Sequence, residues 1–433
     1  MTSVSFVYAF ALIFPLAEAN KALVMRKRDL GITSTCHQLH IEILISPIVA
    51  KGNSRQLEVQ WEFSPNDNGD WIGLFASDPL NPLYPNYLPP LLQKIWVTSV
   101  HGWANTSIFE HHIEPDYLGY HGRCLSYYAA YFNSENSTLA VTCLRTEPNW
   151  MWNLRNEIGP RRLRHVFIPG THDSASYNEY AVVEGETLVK KYSITQDESI
   201  LAQLIYGVRY LDLRVGYYER SDEKWWANHG VVRIHPLRVI LRDIKRFLNR
   251  TNEIVFLDVQ EFPVGFGKTK EIHKKLVAYL EQELGDWAVS PNVGWEASFD
   301  QVWRTGKRLI ISYDDREMVS QSRFLWTAVV QKWGNVRTVH DLYAYLSGVI
   351  ERPPSVAWSA MAELTPSTLD VILDRLKGLR NMAEMVNHDV TAWFRKKSWA
   401  PKTNIVAVDF VRGSGIVRSA IEWNKFQGQC PFL

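Results

Sequence analysis

The sequence lacks an excess of either charge: 47 lysines and arginines stand against 46 aspartates and glutamates, for a formal net charge of +1. That balance speaks against a dedicated nucleic-acid binder, which carries a basic excess or stripe. Cysteine is scarce, at four in 433 residues. Cys36, Cys124, Cys143 and Cys430 show no C-x-x-C or related spacing, so a thiolate zinc site is not expected. Past the N-terminus no stretch is long and uncharged enough for a transmembrane helix. Rings and apolar residues, by contrast, are plentiful. The 17 Trp, 19 Tyr and 18 Phe exclude a disordered chain, and 46% hydrophobic residues can fill the cores of two domains.

The one long apolar run is at the start. "VSFVYAFALIFPLA" (4–17) is short for a membrane span, and Ala17-Glu18-Ala19 follows it as an A-x-A cleavage pattern. Met1-Thr2-Ser3 supplies none of the usual positive charge of a leader. A secretory leader over 1–19 is expected, with a buried strand as the other reading. Three N-x-[ST] sequons, at Asn105, Asn136 and Asn249, agree with secretion and glycosylation. An even cysteine count in a secreted chain implies disulfides. A hairpin turning at Asn133–Asn136 would bring Cys124 opposite Cys143, leaving Cys36 and Cys430.

Two textures follow. Residues 35–147 read as all-β: "QLEVQWEF" (56–63) alternates as a half-buried strand, and "DWIGLFAS" (70–77) follows a turn-rich segment. Short strands and turns at this spacing predict a β-sandwich. "DWIGLF" and the "YYAAYF" hairpin resemble the SKICH type of immunoglobulin-like sandwich. With no nucleophile–base pair (His111-His112 reads as a solvated loop), this domain is a structural or docking module with room for a protein partner. Residues 149–433 alternate strands and helices. Strands are expected at 163–168, 207–215, 253–260, 307–313, 355–361 and 404–411. Thr195–Glu198 reads as a capping box before "SILAQLIYG". Helices are expected at 236–250, 269–285 and 365–379. The fold class is therefore α/β: a distorted TIM-type (β/α) barrel preceded by the sandwich, with chemistry at the C-terminal ends of the strands.

Polar residues gather at those ends. In "HVFIPGTHDSASY" (165–177), Pro169-Gly170 is expected to stop a strand, with His172 and Asp173 directly beyond. Asp212 and Arg214 of "YLDLRVG" share one strand face. "WWANHG" supplies His229, and "AVDFV" sets Asp409 in an apolar run, where a carboxylate needs a partner. Each has an ordinary reading alone: a capping histidine, a structural ion pair, a carboxylate held by backbone amides. Together they suit phosphodiester cleavage by an internal hydroxyl, with one histidine as base and the other as acid. An arginine would hold the phosphate oxygens, and a carboxylate would fix the tautomer of the base.

"IPGTHDS", "LDLR", "NHG" and "VAVDFV", in that order, resemble the X-domain of phosphatidylinositol-specific phospholipases C, of the small type that lacks a Y half. The resemblance implies a distorted TIM barrel. It implies His172 as general base oriented by Asp409, Arg214 on the phosphate, and His229, helped by Asp173, as general acid, with Asp212 in support. The substrate implied is an inositol phospholipid at a membrane surface, and the products are diacylglycerol and a cyclic inositol phosphate. Calcium-dependent members carry an acidic residue where Arg214 stands, and Gln260 aligns with one of their calcium-binding glutamates. A guanidinium in place of a metal cofactor is therefore implied. Tyr313, Gln260 and Asp258 are candidates for holding the substrate, Tyr313 by stacking on a sugar face. Trp225-Trp226 and "FPVGF" (262–266) either meet lipid or pack on the barrel rim. Two rival functions remain: a Mg²⁺-dependent glycerophosphodiesterase or sphingomyelinase D-like enzyme, against which Arg214 speaks, and an inactive lipid-binding or docking protein.

Overall fold

The computed structural model describes residues 40–50, 54–62, 69–81, 88–177 and 187–426. The expected leader, Cys36, Cys430 and most of the turn at 64–69 lie outside the described residues.

Among the described residues, the first module has seven strands: β1 His40–Val49, β2 Arg55–Glu62, β3 Trp71–Phe75, β4 Leu91–Trp96, β5 His101–Phe109, β6 Cys124–Phe132 and β7 Thr138–Arg145. They form two antiparallel sheets, ordered β1-β2-β5 and β4-β3-β6-β7. Ile43 and Val59 of one sheet share an apolar cluster with Ile72, Leu74 and Tyr131 of the other. Cys124 and Cys143 are disulfide-bonded, with Cα atoms 5.6 Å apart. They are not direct ladder partners, because an irregularity in the register sets Cys124 against Arg145 and Tyr128 against Cys143.

Strand β2 departs from its expected half-buried pattern. Leu57, Val59 and Trp61 enter the core, but Glu58 and Gln60 on the opposite face are buried too. A helix of the second module covers that face, and Gln60 Nε2 donates to the carbonyl of His388 at 2.9 Å. Buried ion pairs also join the modules. Arg55 donates to Glu110 and Asp197, each at 2.9 Å, Arg380 reaches Asp197 at 2.8 Å, and Arg412 pairs with Glu110.

The second module adds β8 Ile168–Thr171, β9 Tyr210–Tyr217, β10 Trp225–His229, β11 Val232–Pro236, β12 Val255–Val264, β13 Leu309–Tyr313, β14 Leu325–Thr327, β15 Val330–Trp333, β16 Trp358–Met361 and β17 Ile405–Val408. Their order is β14-β13-β12-β9-β8-β17-β16-β15. Every neighbouring pair along that path is parallel. The β10–β11 hairpin lies antiparallel on β9. The result is a mixed α/β module with a parallel half-barrel sheet. The barrel expected from sequence is open on one side, since no ladder joins β14 to β15 among the described residues. These two edges are successive in the chain, separated only by Ala328 and Val329.

The expected strand at 163–168 is a short 3-10 turn, Leu163–His165, and the strand follows it. Pro169 and Gly170 lie inside β8 rather than stopping it. Proline lacks an N–H, but its carbonyl still accepts from Arg209 N at 2.9 Å. Gly170 is required by packing: a Cβ there would lie 2.7 Å from the ring of Tyr210, itself held by Asp258 at 2.7 Å. Gly170→Ala is expected to cost about 1–3 kcal/mol through overpacking, read as a lower urea midpoint with an unchanged slope.

Helix α1, Ile200–Tyr206, is capped by Ser199, not by Thr195. The Thr195 hydroxyl instead donates to the carbonyls of Asp173 and Ser176. Helices α2 Leu237–Leu248 and α3 Glu271–Leu284 form close to where periodicity sets them. The helix expected over 365–379 shortens to α4, Thr368–Ile372, because Asp374 and Lys377 adopt left-handed backbone. A long helix, α5 Leu379–Phe394, begins where that one was to end.

Candidate active site

Adjacent strands β8 and β17 each release a polar residue at the C-terminal edge. His172 follows Thr171 and Asp409 follows Val408, and the His172 N–H donates to Val408 O at 3.1 Å. The His172 Nδ1 is 2.8 Å from Asp409 Oδ1, and its Nε2 is 2.7 Å from Arg214 Nη2. A guanidinium only donates, so this contact needs a lone pair on Nε2 and puts the ring proton on Nδ1, facing the carboxylate. Burial disfavours the charged ring, but Glu363 and Asp409 outweigh it and raise the His172 pKa to about 10. At neutral pH that value favours the charged ring, whereas the Arg214 contact holds the neutral one; only the neutral ring can take a proton, and its capture on Nε2 displaces Arg214.

Arg214 on β9 stands amid carboxylates: Asp173 at 3.7 Å, Asp212 at 3.7 Å and Glu261 at 3.6 Å. Asp212 is fixed from two sides, by the backbone N–H of Asp173 at 2.9 Å and by Gln331 Nε2 at 3.1 Å. Asp173 has φ +36, a strained conformation for an L residue, and neither of its side-chain oxygens has a hydrogen-bond donor. Burial raises its pKa to about 7, with Arg214 opposing. His229, at the end of β10, sets Nδ1 2.6 Å from Ser193 O. A carbonyl accepts only, so Nδ1 carries the proton and Nε2 is left for another partner. Burial, then the charge of Arg214, lowers the His229 pKa to about 4.

The structure therefore brings His172, Asp173, Asp212, Arg214, His229 and Asp409 together. His172, Arg214, His229 and Asp409 line one cavity of about 830 Å³ including its open mouth. The other three candidates do not line it. Asp258 lies below, fully buried, accepting from Ser312 Oγ, Tyr210 and Gln260 at 2.6–2.7 Å. Gln260 spends its amide on Asp258 and on Val329 O. Tyr313 is a correction. It is 1% exposed and its hydroxyl meets His273 of α3 at 2.8 Å, because alternation along β13 turns Ser312 inward and Tyr313 toward the helices. The rim aromatics also pack rather than project. Trp225 contacts Tyr217, Phe266 and Tyr279, and Phe266 contacts Phe262 and His273.

Sequence reasoning missed Glu363 and Gln331. Glu363 follows β16, lines the cavity, and has no hydrogen-bond donor on either oxygen. Burial raises its pKa to about 7, with the His172 charge opposing. The signal that singled out Asp409, a carboxylate closing an apolar run, is present in "WSAMAEL" as well. Because Glu363 contributes most to the raised His172 pKa, Glu363→Gln is expected to lower it. A ¹⁵N-histidine NMR titration reads the midpoint, and an unchanged value refutes the assignment.

No family model matches the chain. The human PI-PLC X domain-containing protein 1 is 28% identical over 318 residues, spanning 68% of this chain and 97% of that protein. The mouse PI-PLC X domain-containing protein 3 is 27% identical over 303 residues, spanning 64% and 93%. The chain is similar to these X domain-containing proteins, the family that "IPGTHDS", "LDLR", "NHG" and "VAVDFV" resemble. A solved Staphylococcus aureus phosphatidylinositol-specific phospholipase C is similar at 17% identity with a TM-score of 0.48, over 64% of this chain and 96% of that one.

Proposed function

We propose that the chain is a phosphodiesterase that cleaves phosphatidylinositol-type phospholipids to diacylglycerol and a cyclic inositol phosphate by histidine acid–base chemistry without a catalytic metal. The observation that carries this reading is His172, clamped by Asp409 on one nitrogen and presenting the other to Arg214, in the cavity that also holds His229. In its neutral form, the one the Arg214 contact holds, His172 takes the proton of the inositol 2-hydroxyl on Nε2 as that oxygen attacks phosphorus. The guanidinium of Arg214 then leaves Nε2 for the phosphate oxygens and balances their charge. His229 gives a proton to the departing diacylglycerol oxygen. With a pKa near 4 it is neutral in the free protein, so the bound phosphodiester anion must supply the field that charges it. Glu363 accepts hydrogen bonds from ring hydroxyls.

The membrane is approached through α4 and the turn before α1. Leu369, Ile372 and Leu373, 51–63% exposed, follow directly on the cavity-lining residues 363–366. Val189 is 58% exposed beside them, where Lys191 pairs with Asp374 at 2.5 Å. No helix among the described residues is long and apolar enough to cross a membrane. Secretion remains part of the proposal. The leader-like start, the Cys124–Cys143 bridge and exposed Asn105 and Asn249 support it. The SKICH-like reading of the first module rests on its motifs alone.

Phosphorus NMR on phosphatidylinositol vesicles tests the function, with expected accumulation of a cyclic inositol phosphate. Calcium added to metal-stripped protein is expected to leave the rate unchanged. An obligatory calcium requirement refutes the metal-free mechanism.

A further inference from the structure

Away from the cavity, the covered face of β2 presents a second constellation. Glu58 is 0% exposed, and neither of its oxygens has a hydrogen-bond donor. Across from it, α5 presents Glu384 and His388, four residues apart and hence on one helical face. The His388 Nε2 lies 3.0 Å from Glu58 Oε2, yet neither ring nitrogen is in hydrogen-bonding geometry with any partner. One donor atom from each of the three residues falls within 4.8 Å of the others. The nearby Arg395 is engaged by Glu62 and Glu422. Two neighbouring carboxylates that share one imidazole leave an excess of negative charge at a largely buried place, which is costly.

We propose that Glu58, Glu384 and His388 bind one divalent ion of the zinc class, which ties the first module to helix α5 of the second. Two carboxylate oxygens and an imidazole nitrogen suit a four-coordinate zinc site with water as the fourth ligand. Calcium takes six to eight oxygens, and this set does not provide them. Further contacts hold the ligands in place. Ser46 Oγ donates to Glu384 Oε2 at 3.1 Å, and the His388 ring stacks on Trp103 at 4.2 Å with 9° between planes. Gln60 holds the His388 carbonyl. A solvent-open cavity lined by Glu384, His388, Trp103 and Gln60 gives the ion a route in. The ion would supply positive charge beside Glu58 and Glu384, a place that Arg395, engaged with Glu62 and Glu422, does not fill.

The test uses the full-length protein, stripped with chelator and titrated with zinc chloride by calorimetry and with cobalt chloride by visible absorption. One equivalent of zinc, a tetrahedral cobalt spectrum and a higher unfolding temperature are expected. Glu384→Gln, at a half-exposed position, and His388→Ala are each expected to weaken zinc binding at least about 10-fold and to abolish the thermal shift. Failure of the wild type to take up stoichiometric zinc or cobalt overturns the site. So does zinc binding by both variants as tight as that of the wild type. Phosphodiester turnover by Glu384→Gln is expected to equal that of the wild type, which separates failure of this proposal from failure of the catalytic one.

Discussion

Replacing His172 with alanine is expected to lower phosphatidylinositol cleavage by about 10²–10⁴-fold, the usual contribution of a positioned acid–base group. The vesicle assay reads this directly, and a variant within about tenfold of wild type refutes the role of His172. The same substitution has a pH signature in stability. The pKa of His172 is raised in the folded protein, from 6.5 to about 10, so protonation favours folding. That contribution is complete below about pH 6.5 and disappears as the pH rises through about 10. The stability gap between wild type and His172→Ala should be widest near pH 6 and narrow steadily in alkaline buffer. Urea denaturation at several pH values measures it. A gap that widens with pH contradicts the arrangement of Glu363 and Asp409 around the ring.

Arg214→Ala should be more damaging still to the fold. The guanidinium is the common partner of Asp173, Asp212 and Glu261, and two of those are fully buried. Burial opposes the charge of Arg214, but the three carboxylates outweigh it and hold its proton more tightly than usual. Removing one partner of a buried ionic group costs roughly 3–5 kcal/mol, and turnover should fall about 10²–10³-fold as the phosphate loses its donor. The pKa of Asp173 is already raised to about 7, and loss of Arg214 raises it further. Lowering the pH neutralises that carboxylate, so the variant regains stability relative to wild type at pH 5 compared with pH 8. Equal deficits at both pH values argue against carboxylate repulsion as the cause. Arg214→Lys keeps the charge but not the planar fork: stability is largely retained while turnover stays low.

The readable parts of the fold were those with long apolar runs. "EIVFLDVQ" and "KRLIISY" announce β12 and β13, and polar residues at the ends of such runs located His172, Asp212, Arg214 and Asp409. Strands β14 and β15 leave no sequence signal, because "LWT" and "VQKW" are too short to show a period, and Gln331 is hidden with them. Tyr313 was misjudged by its chemistry alone, where alternation with Ser312 already turned it to the other face. Glu58 was misjudged the opposite way. Its alternation was read correctly, but only tertiary structure reveals that α5 covers the outer face of β2.

The break at Ala328–Val329 has a mechanical consequence. Among the described residues, strand β15 has a ladder neighbour on one side only, yet it carries Gln331, which grips Asp212 and Tyr210, and Trp333, which borders the cavity. Side-chain amides from Gln260 and Gln331 cross this line, and no backbone ladder does. The position of the cavity wall along that seam is therefore set by side chains, Gln331 on Asp212 and Tyr210 and Gln260 on Val329 O, and not by backbone pairing.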